Sequence, residues 1–227
     1  MICTSIGNCT VEECIAALSK LQFAEIRLDL LEGLQGTNEA KRIFSSHKNL
    51  IATCRPGKLS EEERQAILLE AITAGAAYVD IEVDSPDPFK QKIAAKAREK
   101  GCKLIVSFHD NAKTPVRAEL DQVVSWCFES GAAIAKIACK ANSTADCARL
   151  LGLLDSEKHL AIVAMGEKGK IVRAVAPLLG SKIAYASPEG GKGTADGQLS
   201  ASSLERTIKA VEHELSQNAH GSRKKGD

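Results

Sequence analysis

Gly131-Ala132-Ala133-Ile134-Ala135-Lys136-Ile137-Ala138-Cys139 is an apolar run broken by one ammonium group. Its length and Ile/Ala content read as a strand buried on both faces, the pattern of a parallel sheet. Helix-like amphipathic runs flank it at 115–130 and 142–155. The same unit recurs along the whole chain. Short apolar runs at 2–6, 23–28, 50–54, 77–82, 103–108, 133–138, 159–165 and 182–187 alternate with helical patterns near 10–20, 37–46, 60–75, 87–100, 115–130, 142–155, 168–179 and 200–216. Strict strand–helix alternation implies right-handed crossovers and a parallel sheet. Eight such units in 227 residues predict an α/β fold, a single (β/α)8 TIM barrel, a little under the ~250 residues typical of it. The alternative is an open doubly wound sheet. That fold usually carries a Gly-rich phosphate turn after its first strand, and Gly7-Asn8-Cys9-Thr10 is not one.

Local signals agree with this division. Thr10 with Glu13, and Ser60 with Glu63, form capping-box patterns at helix starts. Pro115 suits the first turn of the fifth helix. Gly75, Gly101 and Gly131 fall just past helix ends, where a left-handed residue is wanted. The barrel is expected to occupy 1–216. Residues 217–227 lack apolar periodicity and are expected to form a disordered polar tail.

Composition excludes several classes. A net charge of +1 favours neither nucleic acid nor anionic membrane, and 4% aromatic residues supply no base-stacking surface. No apolar run reaches membrane-spanning length, and the start reads as a strand rather than a signal peptide. The eight cysteines form no C-x-x-C pair, so we expect no metal and reduced thiols in a cytoplasmic protein. Two Asn-x-Ser/Thr matches, at Asn8 and Asn142, lack a secretion signal and read as chance.

Barrel enzymes carry their chemistry at the C-terminal ends of the strands. Here those ends are rich in ionisable groups. The second strand ends Glu25-Ile26-Arg27-Leu28-Asp29, and alternation puts Glu25, Arg27 and Asp29 on one face. The third ends at Arg55, the fourth at Asp80-Ile81-Glu82, the fifth at Ser107-Phe108-His109-Asp110 and the seventh at Met165-Gly166. Lys136 sits on the sixth. A buried ammonium costs several kcal/mol unless it is paired or deprotonated. Desolvated lysines make Schiff-base nucleophiles. The plain alternative is a strand-end lysine that meets a carboxylate or water. His109 on the neighbouring strand suits proton transfer, or is simply a hydrogen-bonded strand-end histidine. Together they point to proton abstraction beside an iminium. Arg27 and Arg55 either grip substrate oxygens or neutralise Glu25, Asp29, Asp80 and Glu82, or do both. Glu82 or Asp80 is placed to orient the His109 ring. The Gly-rich stretch 188–198 departs from a phosphate-loop pattern and reads as a lid, or as a plain surface loop.

Six motifs in chain order resemble type I 3-dehydroquinate dehydratases. They are Glu25-Ile26-Arg27-Leu28-Asp29, Thr53-Cys54-Arg55-Pro56, Ser107-Phe108-His109-Asp110, Ala135-Lys136-Ile137-Ala138, Met165-Gly166 with Gly169-Lys170-Ile171-Val172-Arg173, and Ala195-Asp196-Gly197-Gln198. The resemblance spans residues 1 to about 216. It implies a lyase of the shikimate pathway, part of chorismate and aromatic amino-acid biosynthesis. Such an enzyme dehydrates 3-dehydroquinate to 3-dehydroshikimate by syn elimination, without metal or cofactor, commonly as a homodimer. It also implies roles. Lys136 forms the imine at the C3 ketone, and His109 moves the C2 proton to the departing C1 hydroxyl. Arg173 binds the carboxylate with help from Thr194 and Gln198. Glu25, Arg27 and Arg55 hold the ring hydroxyls, and Met165 packs on the ring. Two departures stand out. Asp196 replaces the usual lid Pro, which predicts a looser lid and weaker substrate binding. Some relatives place a Glu soon after the third-strand Arg to orient the His. Leu59 through Glu63 follow here, which leaves Glu82 as the preferred partner. Two other functions fit less well. One is a class I aldolase-like barrel, which usually wants a phosphate site that Tyr185-Ala186-Ser187-Pro188 does not offer. The other is a non-catalytic barrel that binds a small acid.

Overall fold

Eight short strands pair side by side, all parallel, in the order β7-β6-β5-β4-β3-β2-β1-β8. They are β1 (Ile2–Ile6), β2 (Ala24–Arg27), β3 (Leu50–Thr53), β4 (Tyr78–Glu82), β5 (Lys103–Asp110), β6 (Ile134–Lys140), β7 (Leu160–Met165) and β8 (Ala184–Ala186). Between them run α1 (Val11–Leu18), α2 (Thr37–Ser46), α3 (Glu61–Thr73), α4 (Asp87–Lys100), α5 (Arg117–Glu129), α6 (Thr144–Leu151) and α7 (Lys170–Val175), with α8 (Ala201–Gly221) closing the chain. The structure, a computed structural model, describes residues 1–191 and 193–221. This is the expected (β/α)8 barrel, nearly closed. At the seam β7 and β8 share no ladder. The Lys182 amide instead donates to the Leu160 carbonyl (2.8 Å), and the Ser181 hydroxyl accepts from the Ile162 amide (3.0 Å). These bonds satisfy backbone groups that a complete ladder would otherwise pair.

Strand alternation divides the core into two layers. Ile6, Ile26, Ala52, Val79, Ile81, Val106 and Ile137 face the helices. Cys3, Phe23, Ile51, Tyr78, Ile105, Ile134 and Tyr185 fill the barrel interior. The inward layer turns polar toward the C-terminal ends, where Ser5, Glu25, Thr53, Asp80, Ser107 and Lys136 are all buried. The apolar plug thus forms the floor of a polar cup.

The capping boxes at Thr10 and Ser60 form as expected, and Ser143 with Asp146 makes a third. Gly75, Gly101 and Gly131 all take positive φ, and Gly101 caps α4 in the left-handed conformation. Pro115 differs from expectation. The fifth helix starts at Arg117, with Val116 extended as its N-cap. Arg149 donates to the carbonyls of Thr114 and Pro115 and holds that segment out of the helix. Asp29 also differs. The chain enters a 3-10 turn at Leu28–Leu30, so β2 ends before Asp29 and the alternation with Glu25 and Arg27 stops there. At the C-terminus α8 continues to Gly221, past the residue 216 where apolar periodicity ends. A nucleated helix adds residues without needing a packing face. The rest of the expected tail, 222–227, lies outside the described residues. No helix among the described residues is long and apolar enough to cross a membrane.

Candidate active site

Lys136 rises from the middle of β6, opposite Ser107 in the β5–β6 register. It is 5% exposed, and its Nζ donates to Asp80 Oδ2 (2.9 Å) and Glu25 Oε1 (3.1 Å). Asp80 accepts also from Arg55 Nη2 (3.0 Å) and the Ser107 hydroxyl (2.6 Å). Arg55 Nη1 donates to Glu82 (2.6 Å) and to Ser107 (2.8 Å). Glu82 is gripped from behind by Arg64 of α3 (2.8 Å), which also donates to the Cys54 carbonyl. Three cations therefore face three carboxylates in one buried network, and no member is left unpaired. A buried charge is tolerated only on those terms. Burial pushes the carboxyl groups of Glu25 and Asp80 up. For Glu25 the field of Lys136, and for Asp80 those of Arg55 and Lys136, outweigh it and hold both below the usual range.

His109 lies two residues above Ser107 on β5 and faces the same cavity. Burial pushes its pKa well below the ordinary value, and the charges of Arg55 and Lys136 add to the shift. The ring is neutral at pH 7. The cavity is about 530 Å³ and is lined by Glu25, Arg27, Arg55, Glu82, His109, Lys136, Met165, Arg173, Thr194 and Gln198, all nominated by the sequence, while Asp80 lies buried behind it. Arg173 is 4% exposed on α7. Its Nη2 donates to the Asp196 carbonyl (3.1 Å), while its buried Nε has no partner. Burial pulls its pKa down to about 10. A buried guanidinium with an uncommitted donor is a site for an anion.

The β8–α8 segment folds over this mouth. Thr194 shares a hydrogen bond with Ser5 (2.7 Å), and Ser5 donates to Glu25. Gln198 Oε1 accepts from the Thr194 amide (2.8 Å), which ties the lid to itself. Gly197 takes φ +74°, and a Cβ there would lie 2.8 Å from the Gly166 carbonyl oxygen, so the lid seats only with glycine at this position.

The pairing of His109 with Glu82 or Asp80 does not form. Among the described residues neither acid hydrogen-bonds His109, because both are occupied by cations. Arg27 is held by Asp29 through two bonds (3.0 and 2.7 Å) while still lining the cavity. Four contributors escaped sequence reasoning: Ser5, Arg64, Lys140 and Tyr185. Lys140 was legible in principle, since it continues the inward period of Lys136 and Ala138. Ser5 and Arg64 carried no local signal, because their importance arises only from partners distant in sequence.

Fold and site define a class: a (β/α)8 barrel that brings a buried lysine and a neutral histidine on adjacent strands, and a buried arginine, to one cavity. Residues 2–214 match the family model described as type I 3-dehydroquinase. The chain belongs to that family, whose curated members are 3-dehydroquinate dehydratases. It is 33% identical to the 3-dehydroquinate dehydratase of Desulfotalea psychrophila over 216 residues, covering 89% of this chain and 94% of that protein. With that of Methanococcoides burtonii it shares 32% over 222 residues, covering 93% and 94%. The solved 3-dehydroquinate dehydratase from Aquifex aeolicus superposes with a TM-score of 0.77 at 27% identity, covering 92% of this chain and 98% of the other. That from Clostridium difficile, at 22% identity, shares the fold with a TM-score of 0.83 over 94% and 92% of the two chains.

Proposed function

We propose that this chain dehydrates 3-dehydroquinate by syn elimination through a Schiff base on Lys136. The observation that carries the reading is the pairing of one buried lysine with one neutral histidine over a common cavity. Lys136 must shed a proton before it attacks the C3 ketone. Glu25 and Asp80, held below the usual carboxyl range, are poor acceptors. His109 is neutral and is the base; it takes the Lys136 proton and returns it to the carbinolamine oxygen, which leaves as water and restores the neutral ring. The iminium then draws electrons from the C2–H bond as His109 takes the proton, giving an enamine. The enamine expels the C1 hydroxyl, which leaves as water with the proton from His109, and hydrolysis of the new iminium frees the product and Lys136. Enamine formation removes the positive charge on the Lys136 nitrogen. That charge, after burial and Arg55, disfavours the imidazolium, so His109 accepts its proton as one source of opposition disappears.

Arg173 takes the substrate carboxylate, with Thr194 and Gln198 of the lid closing over it. Glu25, Arg27 and Arg55 present the hydroxyl-binding wall, and Met165 covers the ring. Glu82 acts by fixing Arg55 rather than His109. We also infer a cytoplasmic homodimer. Eight unpaired thiols suit a reducing compartment, and the dimer rests on the family resemblance.

The test is to add 3-dehydroquinate, follow the conjugated enone absorbance, reduce with borohydride and weigh the protein. Turnover together with an adduct on the Lys136 peptide is expected. Lys136→Ala should abolish the adduct, and His109→Ala should slow its formation, leaving it to solvent base over a long incubation, while stopping turnover. No absorbance change and no adduct would overturn the reading.

A further inference from the structure

The geometry points to Tyr185 as a further catalytic residue, one whose ring face stabilises the iminium on Lys136. This rests on the Schiff-base reading above. Tyr185 comes from β8, and Lys136 Nζ lies 4.1 Å from its ring centroid. Tyr185 is 4% exposed and Lys136 5%, so the contact is shielded from water. Cation–π attraction is strongest under those conditions.

The donor count shows why the ring matters. The Lys136 ammonium carries three hydrogens and spends two on Glu25 and Asp80. Condensation with a ketone forms C=N and breaks C–O. One hydrogen stays on nitrogen, and two leave with the oxygen as water. The cation keeps its unit charge but is left with a single N–H, so at least one of the two carboxylates loses its direct donor. The ring face needs no N–H. The ammonium is held toward Glu25 and Asp80 by two N–H donors; with one N–H left, the iminium is held less by the carboxylates and rests more on the ring face. Tyr185 therefore favours the covalent state at the step where hydrogen bonding weakens.

The hydroxyl plays no part. Tyr185 Oη is buried with no hydrogen-bond partner. Removing it takes away an unsatisfied polar group and leaves the ring in place.

The experiment replaces Tyr185 with Phe and with mono-, di- and trifluorinated phenylalanines, which keep shape and progressively drain the ring face. Each protein is equilibrated with 3-dehydroquinate, reduced with borohydride, and its Lys136 adduct fraction and thermal midpoint are measured. Tyr185→Phe should retain the adduct. The adduct equilibrium should then fall stepwise with fluorine number, by roughly 2- to 30-fold across the series, while every protein stays folded at the assay temperature by its thermal midpoint. Tyr185→Leu should lose at least as much. An adduct fraction that stays flat across the fluorinated proteins overturns the role of Tyr185 and leaves the Schiff base standing. No adduct in the unsubstituted protein overturns both.

Discussion

Replacing Lys136 with Met removes one cation from a buried, neutral network and leaves its two carboxylates unequal. Asp80 keeps Arg55 and the Ser107 hydroxyl. Among the described residues, Glu25 keeps the hydroxyls of Ser5 and Thr53 and loses its one direct ion pair. Breaking a buried pair by removing one partner costs about 3–5 kcal/mol. At roughly 2–4 °C per kcal/mol for a chain of this size, the thermal midpoint at pH 8 should drop by roughly 6–20 °C. The pH dependence carries the sharper test. In the native protein Glu25 and Asp80 are held below the usual carboxyl range, so the unfolded chain binds more protons and stability is lost as pH falls through that range. In Lys136→Met, burial acts on Glu25 without its nearest opposing charge, and its folded pKa moves above the unfolded value of ~4.3. The folded state then binds more protons, and this group's contribution reverses sign. Stability is fully present below the unfolded pKa and is lost as pH rises through the folded one. The variant should therefore gain midpoint relative to the native protein as pH is lowered from 8 toward 5. Adding Glu25→Gln to Lys136→Met should recover most of the loss and flatten that pH response. Scanning calorimetry from pH 5 to 8 measures all three proteins. A Lys136→Met midpoint within 2 °C of native at every pH would refute the account of Lys136 as a charge held by Glu25 and Asp80.

Other expectations follow from the same geometry. His109 is depressed well below its ordinary value, so the acid limb of kcat/KM should lie below the ~6.5 of a free histidine; a limb at or above that value counts against His109 as the neutral base. Arg173→Met should raise KM for 3-dehydroquinate by roughly 10- to 150-fold through one lost charged hydrogen-bonding site, without lowering the thermal midpoint, because among the described residues the buried guanidinium has no counter-ion. Gly197→Ala should hinder lid seating at Gly166 and raise KM roughly 5- to 150-fold, read beside an unchanged circular-dichroism spectrum. Asp196→Pro should lower KM by stiffening the lid, and an unchanged KM disposes of the looser-lid idea.

The barrel was legible because every level of the sequence says the same thing. Apolar runs, capping boxes at Thr10 and Ser60, and glycines after helices all mark the same eight-fold alternation. Errors fell where tertiary contacts override local pattern. Arg149 reaches across from α6 to hold Thr114 and Pro115 extended. The turn after Arg27 takes Asp29 out of the strand alternation. The site was legible at strand ends, since ionisable groups in buried runs need a reason. Its wiring was not. Nothing local distinguishes Arg64 on α3 from a solvent-facing helix arginine, yet it is 4% exposed and anchors Glu82. Tyr185 likewise reads as core until its ring is seen beneath Lys136.

The two arginine questions raised by the sequence have one electrostatic answer. Arg55 is spent on Asp80 and Glu82, and Arg27 on Asp29, so neither brings unbalanced charge to the cavity. Lys136 is balanced by Glu25 and Asp80. Among the described residues, Arg173 has only a backbone carbonyl, from the lid itself. Coulomb attraction acts strongly on a net charge and weakly on a neutralised cluster. In the proposed reaction a substrate with a single carboxylate is drawn to Arg173, with the cavity-lining Lys140 adding to the pull, while the neutral end that bears the ketone is left to Lys136. The same division explains why the lid backbone meets Arg173 at Asp196. A carboxylate bound there competes with the Asp196 carbonyl for the guanidinium, which couples substrate binding to the position of the lid.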